Sequence, residues 1–322
     1  MTAITDDTLP MTPRAMRDEM TVFAIMAVLL GVVPWTGLYP FFVMQALCFA
    51  LLACAFNLLI GYGGLLSFGH AMFLGTAGYV SAHALKVWGW PPELGIVAGT
   101  AAAAALAVVT GFVSIRRQGI YFSMITLALS QLLYFIYLQA PFTHGEDGIQ
   151  GIPQGHLFGI FDLSRPITLY YVVLAGFLGG FLLIYRIINS PFGEVLKSIR
   201  ENEQRAISLG YKTDQYKWLA YVLSGTIGGF AGSLKVFVAQ NASLTDVHWT
   251  MSGEIVLMTL VGGLGTIFGP VVGAFVIIAM QQYLAGFGQW VTVIQGVIFV
   301  ACVLMFRRGV VGEIAHYFRI SL

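Results

Sequence analysis

Charge is what this sequence has least of. Only 10% of its 322 residues are Asp, Glu, Lys or Arg while 58% are hydrophobic. Soluble domains run near roughly 25% charged, so a large soluble core is excluded and a polytopic membrane protein is indicated. The net charge of +1 offers no basic excess for nucleic acid. Cysteine occurs three times, as Cys48, Cys54 and Cys302, each in an apolar run without metal-ligand spacing, and these read as buried small hydrophobes. The six histidines do not cluster. No Gly-x-x-x-x-Gly-Lys followed by Ser or Thr occurs, so any nucleotide hydrolysis must come from another chain. No grouping of His, Asp and a nucleophile marks a membrane enzyme either. The sequence thus offers no catalytic residue, no metal site and no cofactor site.

What is present is a succession of apolar runs, at roughly 21–38, 41–60, 71–88, 94–113, 119–140, 167–187, 218–238, 253–268, 270–287 and 289–306. They predict an all-α polytopic membrane protein of about 8–10 helices, several short for a hydrocarbon core of ~30 Å. Residues 1–20 carry Asp6, Asp7, Arg14, Arg17, Asp18 and Glu19 and read as a cytoplasmic tail. No small-residue cleavage site precedes the first run, so a removable signal peptide is not expected. Residues 21–306 form the expected membrane domain and 307–322 a second cytoplasmic tail. With the N-terminus inside, Arg14, Arg17, Arg116, Arg117, Arg186, Arg307, Arg308 and Arg319 share one side with Lys197, Arg200, Arg205, Lys212 and Lys217. Only Lys86, Arg165 and Lys235 fall outside or near outer ends, as the positive-inside rule requires. Both termini are therefore expected in the cytoplasm.

The charge that exists is concentrated in Ser190–Lys217, SPFGEVLKSIRENEQRAISLGYKTDQYK, within an expected cytoplasmic loop at 189–217. Ser190 suits an N-cap, Pro191 the first helical position, and Glu194 the positive helix end. Phe192, Val195, Leu196, Ile199, Ala206 and Ile207 recur at helical spacing and Gly210 supplies a stop. The pattern predicts one amphipathic helix of about 18 residues, Phe192 to Leu209. Two readings stand: a solvated connector, or a helix whose apolar stripe docks on a partner.

Three other stretches carry information. Gly61–Tyr79, GYGGLLSFGHAMFLGTAGY, sets six glycines, Ser67 and His70 in apolar sequence; it reads either as close helix packing or as an irregular segment lining a path. His70 is equally readable as a packed histidine. In 119–140, Ser123, Thr126 and Ser130 share a side beside Gln131: a pore face, or hydroxyls bonded to the preceding turn. Glu254, near the outer end of its run, faces a pathway or the lipid headgroups.

The run SPFGEVLKSIRENEQRAISLGYKTDQYKWLAYVLSGTIGGFAGSL resembles the cytoplasmic loop and following span of branched-chain amino acid ABC importer permeases of the larger, M-type kind. Asn57 with Gly61-Tyr62-Gly63-Gly64-x-x-Ser67-x-Gly69-His70, and SGEIVLMTLVGGLGTIFGPVVGA at 252–274, resemble two further motifs of these permeases. The outer loop 141–166 is similar to the family's Gly-Asp-Gly loop, with His144 where a small residue is usual. Of the general Glu-Ala-Ala-x-x-x-Gly coupling signature, Ala206 and Gly210 are kept.

The resemblance implies an inner-membrane permease for branched-chain or related small amino acids. Phe192, Glu194, Val195, Leu196, Ile199, Arg200, Glu201, Arg205, Ala206 and Gly210 would then couple to an ATPase, with Phe192, Val195, Leu196 and Ile199 as apolar anchors. Asn57, Ser67, His70, Thr126, Gln131 and Glu254 would be pathway candidates. The implied partners are a different permease subunit, two ATPase subunits that bind the ATP and Mg, and a periplasmic solute-binding protein landing on loop 141–166, all around a lipid bilayer and without nucleic acid. An ion-coupled secondary transporter is the alternative, because Gly-broken segments occur in both halves. The lack of a mid-span acid counts against it.

Overall fold

The computed structural model describes residues 13–35, 37, 39–288, 290–305, 309 and 311–313. Arg307, Arg308, Arg319, most of the C-terminal tail and residues 1–12 lie outside the described residues. Each of the ten apolar runs forms a helix: α1 (Pro13–Val32), α2 (Pro40–Asn57), α3 (His70–Lys86), α4 (Pro92–Ser114), α5 (Ile120–Gln139), α6 (Pro166–Ile188), α9 (Thr213–Ala239), α10 (Trp249–Gly262), α11 (Gly269–Leu284) and α12 (Trp290–Met305). Between α6 and α9 lie two short helices, α7 (Pro191–Glu201) and α8 (Glu203–Ser208). Pro40, Pro92, Pro166, Pro191 and Pro270 each sit in a first helical turn, where their missing N–H has no intrahelical partner to lose.

Among the described residues five helices are long and apolar enough to cross a membrane: α2 with its continuation to Tyr62, α4, α5, α6 and α9. The chain is therefore an all-α polytopic membrane protein with two small β-ladders added. In one, β1 (Ile149–Gln150) pairs antiparallel with β4 (Asn241–Ala242); in the other, β2 (His156–Leu157) pairs antiparallel with β3 (Phe161–Asp162). The expected loop 141–166 thus carries strand pairing and is tied to the end of α9. Within its hairpin the Ser164 backbone N–H donates to Asp162, holding that carboxyl below the usual carboxylate range.

Helix α2 is the centre. It is apolar all round, and 89% of its window is buried, against 28% for α4 and α5, which places those two at the edge. Around α2 pack α6, α9, α10 and α11. The α3–α4–α9 group closes through small residues, with Gly225 against Ala107, Gly229 against Ala103 and Ser81 bonded to both Ser233 and the Gly95 carbonyl. The Leu30 carbonyl at the end of α1 accepts from the Tyr170 hydroxyl near the start of α6, so these helices run antiparallel. The same alternation holds down the chain. It brings the α2–α3, α4–α5, α6–α9 and α10–α11 connections to one face, the one that carries α7 and α8.

Two boundaries differ from the sequence reading. The run 253–268 is not one span: α10 ends at Gly262 and residues 263–268 turn back into α11. Helices α10 and α11, 14 and 16 residues long, form a hairpin in which a Cβ on Gly262 would lie 1.9 Å from the Gly269 carbonyl oxygen, and one on Gly273 1.8 Å from that of Met258. Backbones approach this closely only without side chains between them. Nor is Phe192–Leu209 one helix. Asn202 adopts an extended conformation (φ −156°, ψ 95°) and caps α8 by accepting from the Arg205 N–H, so the chain bends there. Ser190 precedes α7 as expected, but its hydroxyl donates to the Ile187 carbonyl (2.6 Å) rather than capping.

Candidate functional site

Helix α2 does not end cleanly. Residues Leu58–Tyr62 continue it as a π-helix, after which 63–69 has no regular structure before α3 begins at His70. π-Turns within helices frequently mark functional sites. Irregular backbone at membrane depth needs partners, since unsatisfied polar groups there cost several kcal/mol each. Side chains of α5 and α10, and Ser67 of the segment itself, supply them. Ser123 Oγ donates to the Leu66 carbonyl (2.6 Å), the Phe68 N–H to Thr126 Oγ1 (3.2 Å), the Gly69 N–H to Ser67 Oγ (3.2 Å) and the Ala71 N–H to Ser252 Oγ (3.0 Å).

This changes the role of the hydroxyl stripe on α5. Ser123, Thr126 and Ser130 are buried, and the stripe faces the unwound segment and the segment at Val247. Thr126 also donates to the Ser123 carbonyl (2.9 Å), the preceding-turn bond that was one of its two readings. Ser67, His70 and Thr126, expected as pathway residues, are fully buried within the chain. His70 Nε2 is 2.8 Å from Ser224 Oγ, and Ser224 itself donates to the Ala55 carbonyl, so Nε2 carries the proton. The rings of Phe56, Phe73 and Tyr221 meet His70 at steep angles. It fastens α2, α3 and α9. Gln131 is half-buried, as is Glu254, which accepts from Gln281 Nε2 (2.9 Å) and so joins α10 to α11. At the face opposite α7, Lys235 is ion-paired with Asp246, and both side chains are nearly buried.

Asn57 sits where three segments meet. Its Oδ1 accepts from the Gly265 N–H (3.0 Å) and its Nδ2 donates to the Thr266 carbonyl (2.8 Å), so α2 holds the tip of the α10–α11 hairpin. One turn on, Gly61 fits beneath: a Cβ there would lie 2.2 Å from Asn57 Oδ1 and 2.8 Å from the Gly265 nitrogen. The Gly61 carbonyl accepts from Arg200 Nη1 of α7. Arg200 also lies across Gly64, whose Cβ would come within 2.8 Å of its Cγ. A single guanidinium therefore joins α7 to the broken end of α2 and, through Asn57, to the hairpin tip.

The apolar stripe of α7 finds its partner inside the chain. Leu196 (0% exposed), Ile199 and Ala206 are buried, Leu196 against the Gly63 region. Phe192 and Val195 are half-buried, and Phe192 stacks on Tyr216 of α9 (5.7 Å, 20°). Leu196 is not free to anchor a partner's groove, because it covers the unwound segment at Gly63, and Phe192 is engaged by Tyr216. The outward face of α7–α8 presents Glu194, Glu201 and Arg205 together with Ile207, Leu209 (70% exposed) and Tyr211. Glu194 pairs with Lys197 (2.9 Å). Gly210 has φ +90°, the left-handed turn that its position as a stop implies.

Sequence reading missed Glu203. Its carboxylate pairs with Lys217 (2.5 Å; side chains 20% and 4% exposed) and accepts from Gln118 Nε2 (3.0 Å) and Thr213 Oγ1 (3.2 Å). One acid thus seats α8 on the start of α9 and on the α4–α5 turn. Nothing local distinguishes it from Glu194 or Glu201; only the apolar context of Lys217 hinted at a buried cation needing a partner.

Residues 38–305 match the family described as branched-chain amino acid transport system, permease component. The high-affinity branched-chain amino acid transport system permease protein LivM of Salmonella typhimurium is 25% identical, over 88% of this chain and 73% of that protein. LivM of Escherichia coli is 25% identical over 81% and 67%. The autoinducer 2 import system permease protein LsrC of Yersinia pseudotuberculosis is 27% identical over 58% of this chain and 55% of its own length. No solved structure matches the chain. With most of its length and all three junction segments inside the matched region, the chain belongs to the family of branched-chain amino acid ABC transporter permeases.

Proposed function

We propose that this chain is one membrane half of an ATP-driven importer of branched-chain or related small amino acids. The observation that carries the reading is the Arg200–Gly61–Asn57–Gly265 junction, in which a charged surface helix is bonded to the broken ends of two membrane elements. A helix so placed converts movement of a soluble partner into movement of the membrane core. The partner is an ATPase subunit, two of which supply the ATP and Mg chemistry that this chain lacks. Its docking surface is the outward face of α7–α8, with Ile207, Leu209 and Tyr211 as apolar contacts and Glu194, Glu201, Arg205 and Gly210 around them. This revises the anchor set, since Leu196 and Ile199 are already buried.

The α7 face is cytoplasmic in this reading, with both termini on that side of the inner membrane, and the β-ladder face receives a periplasmic solute-binding protein. A second permease subunit completes the pair, because each chain offers one α7–α8 surface and an ATPase dimer presents two; the family resemblance implies that it is a different chain. The greater coverage of LivM supports the M-type assignment. Of the pathway candidates Gln131 and Glu254 are partly exposed, while Asn57 is buried at the hairpin tip.

The test is uptake by the co-expressed system in sealed vesicles. Uptake that requires internal ATP and survives collapse of the ion gradients is expected. Uptake that follows the gradients and ignores ATP would replace this reading with an ion-coupled carrier. A transport-competent homodimer in detergent would remove the hetero-pair.

A further inference from the structure

A groove of about 560 Å³ opens between the last turn of α4 and the first turns of α9, a volume within the range that holds small ligands. Its wall is apolar: Gly111, Ile115, Trp218 and Leu219. Gly111 lets α4 approach α9 closely at its base, since a Cβ there would lie 2.8 Å from the Tyr221 ring. Trp218 Nε1 is engaged by the Val108 carbonyl (3.3 Å), leaving its ring to the groove. The mouth carries two charges, Arg116 and Asp214, both exposed. The Arg116 guanidinium is set over the Phe112 ring at 4.5 Å. Among the described residues neither Arg116 nor Asp214 enters an ion pair. The groove is continuous with the exposed apolar side of α4, where Val109, Phe112 and Val113 are 63%, 61% and 50% exposed. On a membrane protein such a surface faces lipid, and Trp and Arg at its end mark the interface.

We propose that this groove is a binding site for a zwitterionic phospholipid with a primary ammonium headgroup, phosphatidylethanolamine, in the leaflet on the α7 face. The phosphate sits at Arg116, the ammonium donates to Asp214, and an acyl chain lies along Ile115, Trp218 and Leu219. One cation and one anion at a single apolar mouth complement that headgroup. A glycerol headgroup brings no cation to Asp214, and a trimethylammonium has no N–H to donate to it. The occupied site wedges the α4–α5 turn against α9, the two segments that Glu203 also joins through Gln118 and Lys217.

The test is native mass spectrometry of the purified chain, alone and in its assembled transporter, against equimolar phosphatidylethanolamine, phosphatidylglycerol and phosphatidylcholine. The wild type retains phosphatidylethanolamine in preference to both others. Asp214→Asn lowers its ratio to phosphatidylglycerol about fivefold, as expected for loss of one rim charge contact. Arg116→Gln lowers retention of all three. Both side chains are exposed, so an unchanged elution profile and melting temperature show that the variants are folded. Equal retention of the three headgroups, or ratios the same in wild type and both variants, would overturn the proposal. So would a photo-crosslinker at Leu219 that captures protein and no lipid in the assembled transporter.

Discussion

Arg200 and Gly61 stand 139 residues apart, yet the guanidinium of one donates to the main-chain carbonyl of the other. Any residue larger than glycine at 61 collides with Asn57 and Gly265, so the carbonyl is reachable because its residue has no side chain. Arg200→Ala removes the bond and Arg200→Lys keeps the charge without the planar fork. Both variants should reach normal membrane abundance, since Arg200 is largely exposed. Transport should fall tenfold or more in the Ala variant, while ATP hydrolysis by the assembled complex loses its response to substrate. Normal transport in Arg200→Ala would show that the junction carries no coupling.

Leu196 and Leu209 separate fold from docking. Leu196 is 0% exposed and Leu209 70%. Leu196→Asp places a carboxylate in an apolar site and should empty the membrane of folded protein. Leu209→Ser should leave abundance unchanged and weaken co-purification of the ATPase, by about tenfold for loss of roughly 1.5 kcal/mol of apolar burial. Quantitative immunoblots of membranes and of affinity-purified complexes check the two outcomes.

Gly210 tests backbone against contact. Its φ is +90° and a Cβ there would meet nothing within 4 Å, so substitution acts through the main chain alone. Gly210→Val strains the turn by about 1–3 kcal/mol and should displace α8. Gly210→Asn, better suited to left-handed backbone, should restore most of the activity. Equal transport by both variants would count against the turn.

Glu203→Gln keeps shape and removes the partner of a nearly buried Lys217. Stability should fall by about 2–4 kcal/mol, read as a lower apparent melting temperature in detergent. Lys217→Met, which removes the buried charge as well, should recover part of the loss. The pattern distinguishes an uncompensated buried charge from simple loss of a contact.

The ten apolar runs were legible because lipid imposes a length and a composition on whatever crosses it. Gly210 was legible for a local reason, its place after a periodic run. The break at Asn202 was not. Asn is a helix residue of middling propensity, and only its use as a cap for Arg205 turns one helix into two. The stripe Phe192, Val195, Leu196 and Ile199 was read correctly as amphipathic, but periodicity does not say what covers it. The cover of Leu196 is a segment about 130 residues earlier in the chain that has lost its own regular structure, and that of Phe192 is Tyr216 of α9. Ser67 and Thr126 bond the unwound backbone and His70 bonds Ser224 of α9: a polar group in an apolar setting serves the chain's own structure as readily as it serves a solute.

The glycines of the α10–α11 hairpin have a mechanical consequence. With Gly273 against the Met258 carbonyl and Gly262 against Gly269, a shift of one residue along the pair would bring Val272 or Ala274 where only a hydrogen fits. The two half-length helices therefore have one register and no neighbouring one. They transmit displacement like a single strut, clasped at one end by Asn57 and at the other by Glu254 and Gln281. A push delivered at the α7 face arrives at the opposite face as tilt of the whole strut, with no stroke lost to sliding inside it.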